Sequence, residues 1–361
     1  YYTISPLTFD TADMAWKINQ DTGLVYEQLM VADLSKAKRN GGKHPFVSDS
    51  FIPPDGLKGE LAEKWELKQN PWRLEVQLRK GIMWPAKEGV MAARELVADD
   101  VVYSFDRVNK SPKKIPTYWD HVSRIEVTGK HSFTMHFSTY NAEWDYRWGW
   151  GYYSAIVPKE VMESGAKDWK KVNGTGPYAL TNYVQGNAMT FTKNPSYWGS
   201  ETIGGESYKL PFTDTITYRY IKDESTALTA LRTGKLDIME AVRWSAVDEL
   251  KKSAPKLQWN KIISNNGSYI TLRVDTKPFD DVRVRRALNM AINKQEIIKA
   301  YYGGNAEMLG FPMHSSWGGY YEALADMPES VRELYTFNPT KAKALLAEAG
   351  YPNGFSFKTQ T

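Results

Sequence analysis

Two periods of hydrophobic and polar positions run along this chain. Trp72, Leu74, Val76 and Leu78 fall on one side of a two-residue alternation and Arg73, Glu75, Gln77 and Arg79 on the other, which predicts a half-buried strand. Phe133, Met135 and Phe137 repeat the alternation, as do Ile216, Tyr218 and Tyr220. Over Asp99 to Val108 the period lengthens, and Val101, Val102, Phe105 and Val108 share one helical face. Further helices are marked by their ends. Ser245-Ala-Val-Asp248 has the spacing of a capping box opening a helix through Lys252. Val284, Ala287, Leu288, Ala291 and Ile292 form a helical stripe; Asn293 and Glu296 stand three apart before Ile297, Ile298 and Tyr301, and Gly303-Gly304 stops that run. Pro339 starts a last helix through Leu345 and Leu346, and Gly350 ends it.

The first thirty residues read as loop and then a short helix, with an apolar stretch at Leu24-Val25-Tyr26 and Leu29-Met30. Lys36 to Gly59 is rich in Gly, Lys, Pro and Ser and reads as a surface excursion of turns. Phe355, Phe357 and Thr359 begin an alternating strand that meets the last residue, Thr361, before it finds a partner, so the polypeptide is expected to continue. Mixed α and β elements follow one another throughout, with no fixed internal repeat.

At roughly 150 residues per domain, 361 residues imply two or three domains. The 46 Lys and Arg against 42 Asp and Glu are scattered rather than blocked, which argues against a nucleic-acid surface or a polybasic membrane patch. No apolar run approaches the roughly 18 residues that cross a bilayer. Tyr1 opens directly into Tyr-Thr-Ile-Ser-Pro, so an export signal either never existed or was removed. Zero cysteines exclude disulfides, Cys-zinc sites, iron–sulfur ligation and thiol nucleophiles, and permit an oxidising compartment.

Catalytic and metal chemistry finds little support. His131 and His136, five apart on a strand, point to opposite faces and cannot chelate one metal; His44, His121 and His314 are isolated. Nucleophile-elbow, zincin, P-loop and dinucleotide motifs are lacking, and Asn173-Gly-Thr-Gly-Pro177 reads as a tight turn. Glu143 and Asp145 are a carboxylate pair that a glycoside hydrolase could use. The strongest compositional feature is Trp144-Asp-Tyr-Arg-Trp-Gly-Trp-Gly-Tyr-Tyr153, where glycine-interrupted aromatics suit a cleft wall; core packing is the alternative for any single ring.

Seven segments in order resemble the extracellular solute-binding proteins of family 5, the substrate receptors of ABC importers for peptides, nickel and oligosaccharides. They are Gly59-Glu-Leu-Ala-Glu-Lys-Trp65 with Arg73 to Gly81, Ala98 to Arg107, Ser154 to Glu160, Gly174-Thr-Gly-Pro-Tyr178, Asn194-Pro-Ser-Tyr-Trp-Gly199, Lys277 to Leu288, and Ala347 to Gly354. The resemblance implies an α/β, two-lobed periplasmic-binding-protein-like fold. Residues 1–30 and 172–264 would form the core of the first lobe, 31–171 an extra subdomain of it, and 265–361 the N-terminal part of a second lobe that is incomplete in this chain. The sequence departs from the pattern at Met83 to Gly89, which replaces a common "FHDG" turn, and in the strand expected over 267–275. There Thr271 replaces an acidic residue used by some oligopeptide receptors, and Arg273 stands where Asn is common.

The function this implies is capture, without catalysis, metal or cofactor, of a short peptide between two lobes, and its delivery to a membrane permease. Trp148, Trp150, Tyr152 and Tyr153 are the expected first-lobe wall, with Trp244 near the lobe boundary and Tyr269 and Thr271 on the hinge-side floor. Bridging waters would let such pockets tolerate varied side chains. The receptor is expected to be a monomer in the periplasm or outside the cell, held near the membrane by its transporter or by a removed N-terminal anchor. An oligosaccharide receptor, favoured by the tryptophan content, is the second reading; a two-carboxylate glycoside hydrolase and a sensor that has lost transport are the others.

Overall fold

A computed structural model describes residues 2, 4–13, 17–44, 46, 52–261, 269–308, 314–315 and 321–358. The chain divides into two compact units: Tyr1–Gly42 with Ile52–Glu240, and Lys43–Phe51 with Ala241–Thr361.

In the larger unit the alternating segments form the sheets they predict. A four-stranded antiparallel sheet has the order Ala62–Lys68, Arg73–Leu78, Ser132–Phe137, Val122–Gly129. Leu74, Val76 and Leu78 are buried on it together with Phe133 and Met135, and helix Ala98–Asn109 turns Val101, Phe105 and Val108 into the same core. Deep in that core Trp84 is fully buried, and its indole N–H donates to Asp100 at 3.1 Å. Arg94 pairs with Asp100 of this helix and with Glu160 of helix Lys159–Gly165, each at 2.7 Å, so a single guanidinium joins the two helices. A second core lies under a three-stranded antiparallel sheet ordered Thr215–Arg219, Ala188–Lys193, Tyr178–Val184, where Leu180, Met189 and Phe191 meet Phe9, Val25, Tyr26 and Val157.

Around residue 25 the chain runs close to a glycine turn. Gly176 N–H donates to the Val25 carbonyl at 2.9 Å and Tyr178 N–H to the Leu24 carbonyl at 3.0 Å. A Cβ on Gly174 would lie 2.0 Å from the Val25 oxygen, so this approach requires glycine.

Some expectations change. The short N-terminal helix is Lys17–Thr22, ahead of the apolar stretch, and Met30–Ala32 is a strand paired with Leu57–Gly59 at the end of the predicted excursion of turns. The helix expected from Ser245 starts at Trp244, its cap position is Arg243, and no side chain caps it, so the Ser–Asp spacing does not act as a capping box.

In the smaller unit, helices Val282–Ala291 and Pro339–Glu348 pack through Ala287, Met290 and Ala342. Asn293 caps Lys294–Ala300 and Asn338 caps Pro339–Glu348, each side chain accepting a backbone N–H three residues on. The strand expected over 267–275 is not formed among its described residues, 269–275; residues 267 and 268 lie outside the described residues. Phe355 and Phe357 likewise form no strand. Their rings gather on Phe279 at 5.9 and 5.4 Å, so ring packing rather than a ladder holds this segment; Thr359 lies outside the described residues.

Gly174→Ala should lower stability by about 2 kcal/mol or more, because its methyl group meets a backbone oxygen that cannot turn aside. Urea unfolding checks this; a wild-type midpoint would show that the turn can withdraw from residue 25.

Candidate functional site

The larger unit places two carboxyl groups, those of buried Glu27 and half-buried Glu60, beside the segment that follows Val25. Glu27 is 1% exposed, and both its oxygens accept from the Trp198 indole N–H at 3.0 Å. Glu60 accepts the Gln28 backbone N–H at 2.7 Å. Arg79 is the nearby cation, yet its donors go to main-chain carbonyls: Nε to Glu60 O at 2.8 Å and Nη2 to Gly59 O at 3.2 Å. Its guanidinium lies 5.0 Å from the centroid of the Trp198 ring. Arg79 therefore fixes the Gly59–Glu60 turn and backs Trp198 without pairing either carboxylate.

Burial raises the Glu27 carboxyl to about 7 against the lowering effect of the Thr175 side chain, the Trp198 N–H and the Arg79 charge. Burial, and then the charge of Glu27, raises Glu60 well above the usual carboxyl range. Tyr197 is also raised, first by burial and then by the two carboxylates. Glu60 opens on a cavity of about 70 Å³ lined by Thr22, Gly23, Tyr26, Gln28 and Ala155. This arrangement can hold a proton or receive a cationic group. Among the described residues there is no cluster of three His, Cys, Asp or Glu side chains that could hold a metal.

The same Gln28 ties the cavity to the aromatic segment. Its side-chain amide donates to Gly151 O at 2.6 Å and to Ser154 Oγ at 2.8 Å. The segment itself is one π-helical turn, Tyr146–Trp150, closed by Gly151 N–H on Tyr146 O at 2.6 Å. Trp148 is a core residue here and not a wall: it is 1% exposed, packs on Phe105, Tyr118 and Trp119, and donates its indole N–H to His121 Nε2 at 3.2 Å. Trp150, Tyr152 and Tyr153 are half-buried. Trp150 meets Tyr146 edge-on at 4.8 Å, and Tyr153 meets Tyr118 at 5.5 Å and Tyr152 at 6.5 Å. The glycines serve the protein's own packing, since a Cβ on Gly149 would lie 2.7 Å from Met30 Sδ and one on Gly151 2.3 Å from Tyr146 O.

The remaining expected residues belong to the smaller unit. Trp244 is half-buried with the Lys261 ammonium 4.9 Å from its ring centroid. Tyr269 is 68% exposed, and Thr271 is exposed. Both proposed acids have local partners in the larger unit. Glu143 pairs with Arg147 at 2.8 Å, while Asp145 is buried and accepts the Tyr146 N–H at 2.9 Å.

Glu27, Gln28, Glu60, Arg79 and Trp198 were not among the sequence-derived candidates. The signal available was a charged residue between two apolar pairs, Val25-Tyr26 and Leu29-Met30, a pattern that places a carboxylate where water is scarce.

Two outcomes follow. Trp148→Ala should cost about 3–5 kcal/mol of stability, the range for a fully buried aromatic, in urea unfolding; a loss below 1 kcal/mol would place the ring outside the core. A carboxyl whose folded-state pKa is raised favours folding while protonated. That contribution is complete below the ordinary value of 4.5 and is lost as pH rises through about 7. Glu60→Gln removes the like charge, so the variant should exceed wild type by on the order of 1 kcal/mol at about pH 8 and show a flatter pH–stability profile; parallel profiles would uncouple the pair.

Comparison with known proteins places this geometry in a family. Residues 56–361 match the family model of the bacterial extracellular solute-binding proteins, family 5. The dipeptide-binding protein of Escherichia coli K12 is 28% identical over 319 residues, covering 82% of this chain and 55% of that protein. The heme-binding protein A of Haemophilus influenzae is 28% identical over 317 residues, covering 83% and 55%. This chain thus spans about half the length of these relatives. Among solved structures, the periplasmic binding protein DppA of Helicobacter pylori in complex with the peptide STSA superposes with a TM-score of 0.77 at 25% identity, covering 98% of this chain and 65% of that one. The mixed α/β fold is that of the two-lobed periplasmic binding proteins, and the chain belongs to the bacterial extracellular solute-binding proteins of family 5.

Proposed function

We propose that this chain is part of an extracytoplasmic receptor that captures a short peptide and passes it, chemically unchanged, to the permease of an ABC importer. The observation that carries the reading is the site in the larger unit, where half-buried Trp150, Tyr152 and Tyr153 adjoin, through Gln28, a cavity lined by the half-buried carboxyl group of Glu60. Flat rings with polar edges beside a few fixed polar groups suit a ligand made of amide planes. The dipeptide-binding relatives and the peptide-bound structural neighbour support the same ligand class. Closure on the ligand would follow from contacts that only the shut form provides, with Trp244, Tyr269 and Thr271 of the smaller unit as the proposed contributors from that side.

Calorimetry with a di- to tetrapeptide library and with cello- and xylo-oligosaccharides tests the reading. Heat from peptides, recovered intact by mass spectrometry, is expected. Heat from sugars alone would replace the peptide with an oligosaccharide, and turnover lost on replacing Glu143 or Asp145 would replace the receptor with an enzyme. Trp150→Ala should weaken peptide binding by about 1 kcal/mol or more while unfolding stays cooperative. A collapsed melting transition with unchanged affinity in the folded fraction would assign Trp150 to the core alone.

A further inference from the structure

We propose that the Glu60 carboxylate and the cavity beside it receive a cationic group, an ammonium or a guanidinium, carried by the captured solute. The inference rests on the capture reading above and names a chemical preference for the same site.

Three observations carry it. Glu60 forms one hydrogen bond, from the Gln28 backbone N–H, and no ion pair among the described residues. The charges that face it are the like charge of Glu27 and, at longer range, Lys58; Arg79 spends its donors on carbonyl oxygens, and Tyr197 completes the titratable surroundings. The space of about 70 Å³ is several times the roughly 10–15 Å³ that one water needs, yet far below the roughly 300 Å³ of a pocket for a whole small molecule. The cavity is thus sized for one group of a ligand, and the group that offsets the charge of the half-buried Glu60 carboxylate, beside buried Glu27, is a cation.

The experiment uses the protein in the full length its gene encodes, as wild type and Glu60→Gln. Calorimetry compares glycyl-lysine with glycyl-norleucine, which differ by the charged terminus, and thermal unfolding compares methylammonium chloride with sodium chloride at equal ionic strength. In the wild type, the lysyl probe should bind at least tenfold more tightly than the norleucyl probe, and methylammonium should raise the midpoint. In E60Q the affinity ratio should shrink by tenfold or more and the methylammonium shift should vanish. If either peptide binds but neither readout depends on residue 60, the cation preference is wrong and the capture reading stands. If no peptide binds and methylammonium still stabilises wild type but not E60Q, the capture reading fails and the cation site stands; absence of both effects removes both. Should E60Q not fold, the wild-type affinity ratio, or the methylammonium shift where no peptide binds, is followed with pH. It should fall as Glu60 takes up a proton, and a pH-independent value overturns the proposal.

Discussion

An ionisable side chain held out of water constrains everything around it, and Glu27 is that side chain here. A desolvated carboxylate is costly unless hydrogen bonds or charge compensate it, and Glu27 has the Trp198 indole N–H, the Thr175 side chain and a cation that stands off behind the same indole. Each neighbour acquires a fixed position from this. Trp198 must present its N–H edge to the carboxylate, Arg79 must lie against the ring, and the donors left to Arg79 then hold the carbonyls of Gly59 and Glu60. Glu60 is thereby placed over the cavity, and Gln28 reaches from it to Gly151 and Ser154. A cooperative polar network of this kind fixes geometry more firmly than its separate bonds suggest.

The aromatic run shows how one stretch of ten residues divides between core and site. A π-helical turn rotates its members differently from an α-helix, sending Trp148 inward to Phe105 and Trp119 while leaving Trp150 against Tyr146. The buried half anchors the half-buried one. Burying Trp148 fully gains apolar area, and the bond to His121 satisfies its N–H. Burial also lowers the pKa of His121, which keeps the imidazole neutral and able to accept that bond. Composition leaves wall and core open for each of these rings, because the switch depends on a backbone turn that leaves no mark in hydrophobicity.

What was legible in the sequence was periodicity. Leu74, Val76 and Leu78, and the face through Val101, Phe105 and Val108, point inward as their spacing predicts, since each pattern is local and is read by the sheet or helix it sits in. What was hidden depends on distant partners. Glu27 and Trp198 are 171 residues apart, and nothing near either residue announces the other. The Ser245 spacing failed for the opposite reason: a local pattern is necessary for a capping box, but the backbone must also leave the helix at that residue, and here it leaves at Arg243. Gly149 and Gly151 illustrate a third case, where the residue type was informative and its purpose was not, because Met30 and the Tyr146 carbonyl occupy the space a ligand was expected to take.

Membership of a family fixes the scaffold and leaves the cargo open. The matched proteins include ones named for dipeptides, heme and glutathione, so one family serves chemically different solutes. Discrimination among such solutes has to come from the local electrostatics of each chain. In this one the proposed cation site rests on two neighbouring carboxyl groups, buried Glu27 and half-buried Glu60, the latter facing a space large enough for a single group. A solute anion placed there would meet like charge and keep the pair protonated, whereas a cation would favour ionised Glu60. In the proposed cation site, the burial that makes Glu27 costly when ionised would also strengthen the preference for a cation beside Glu60.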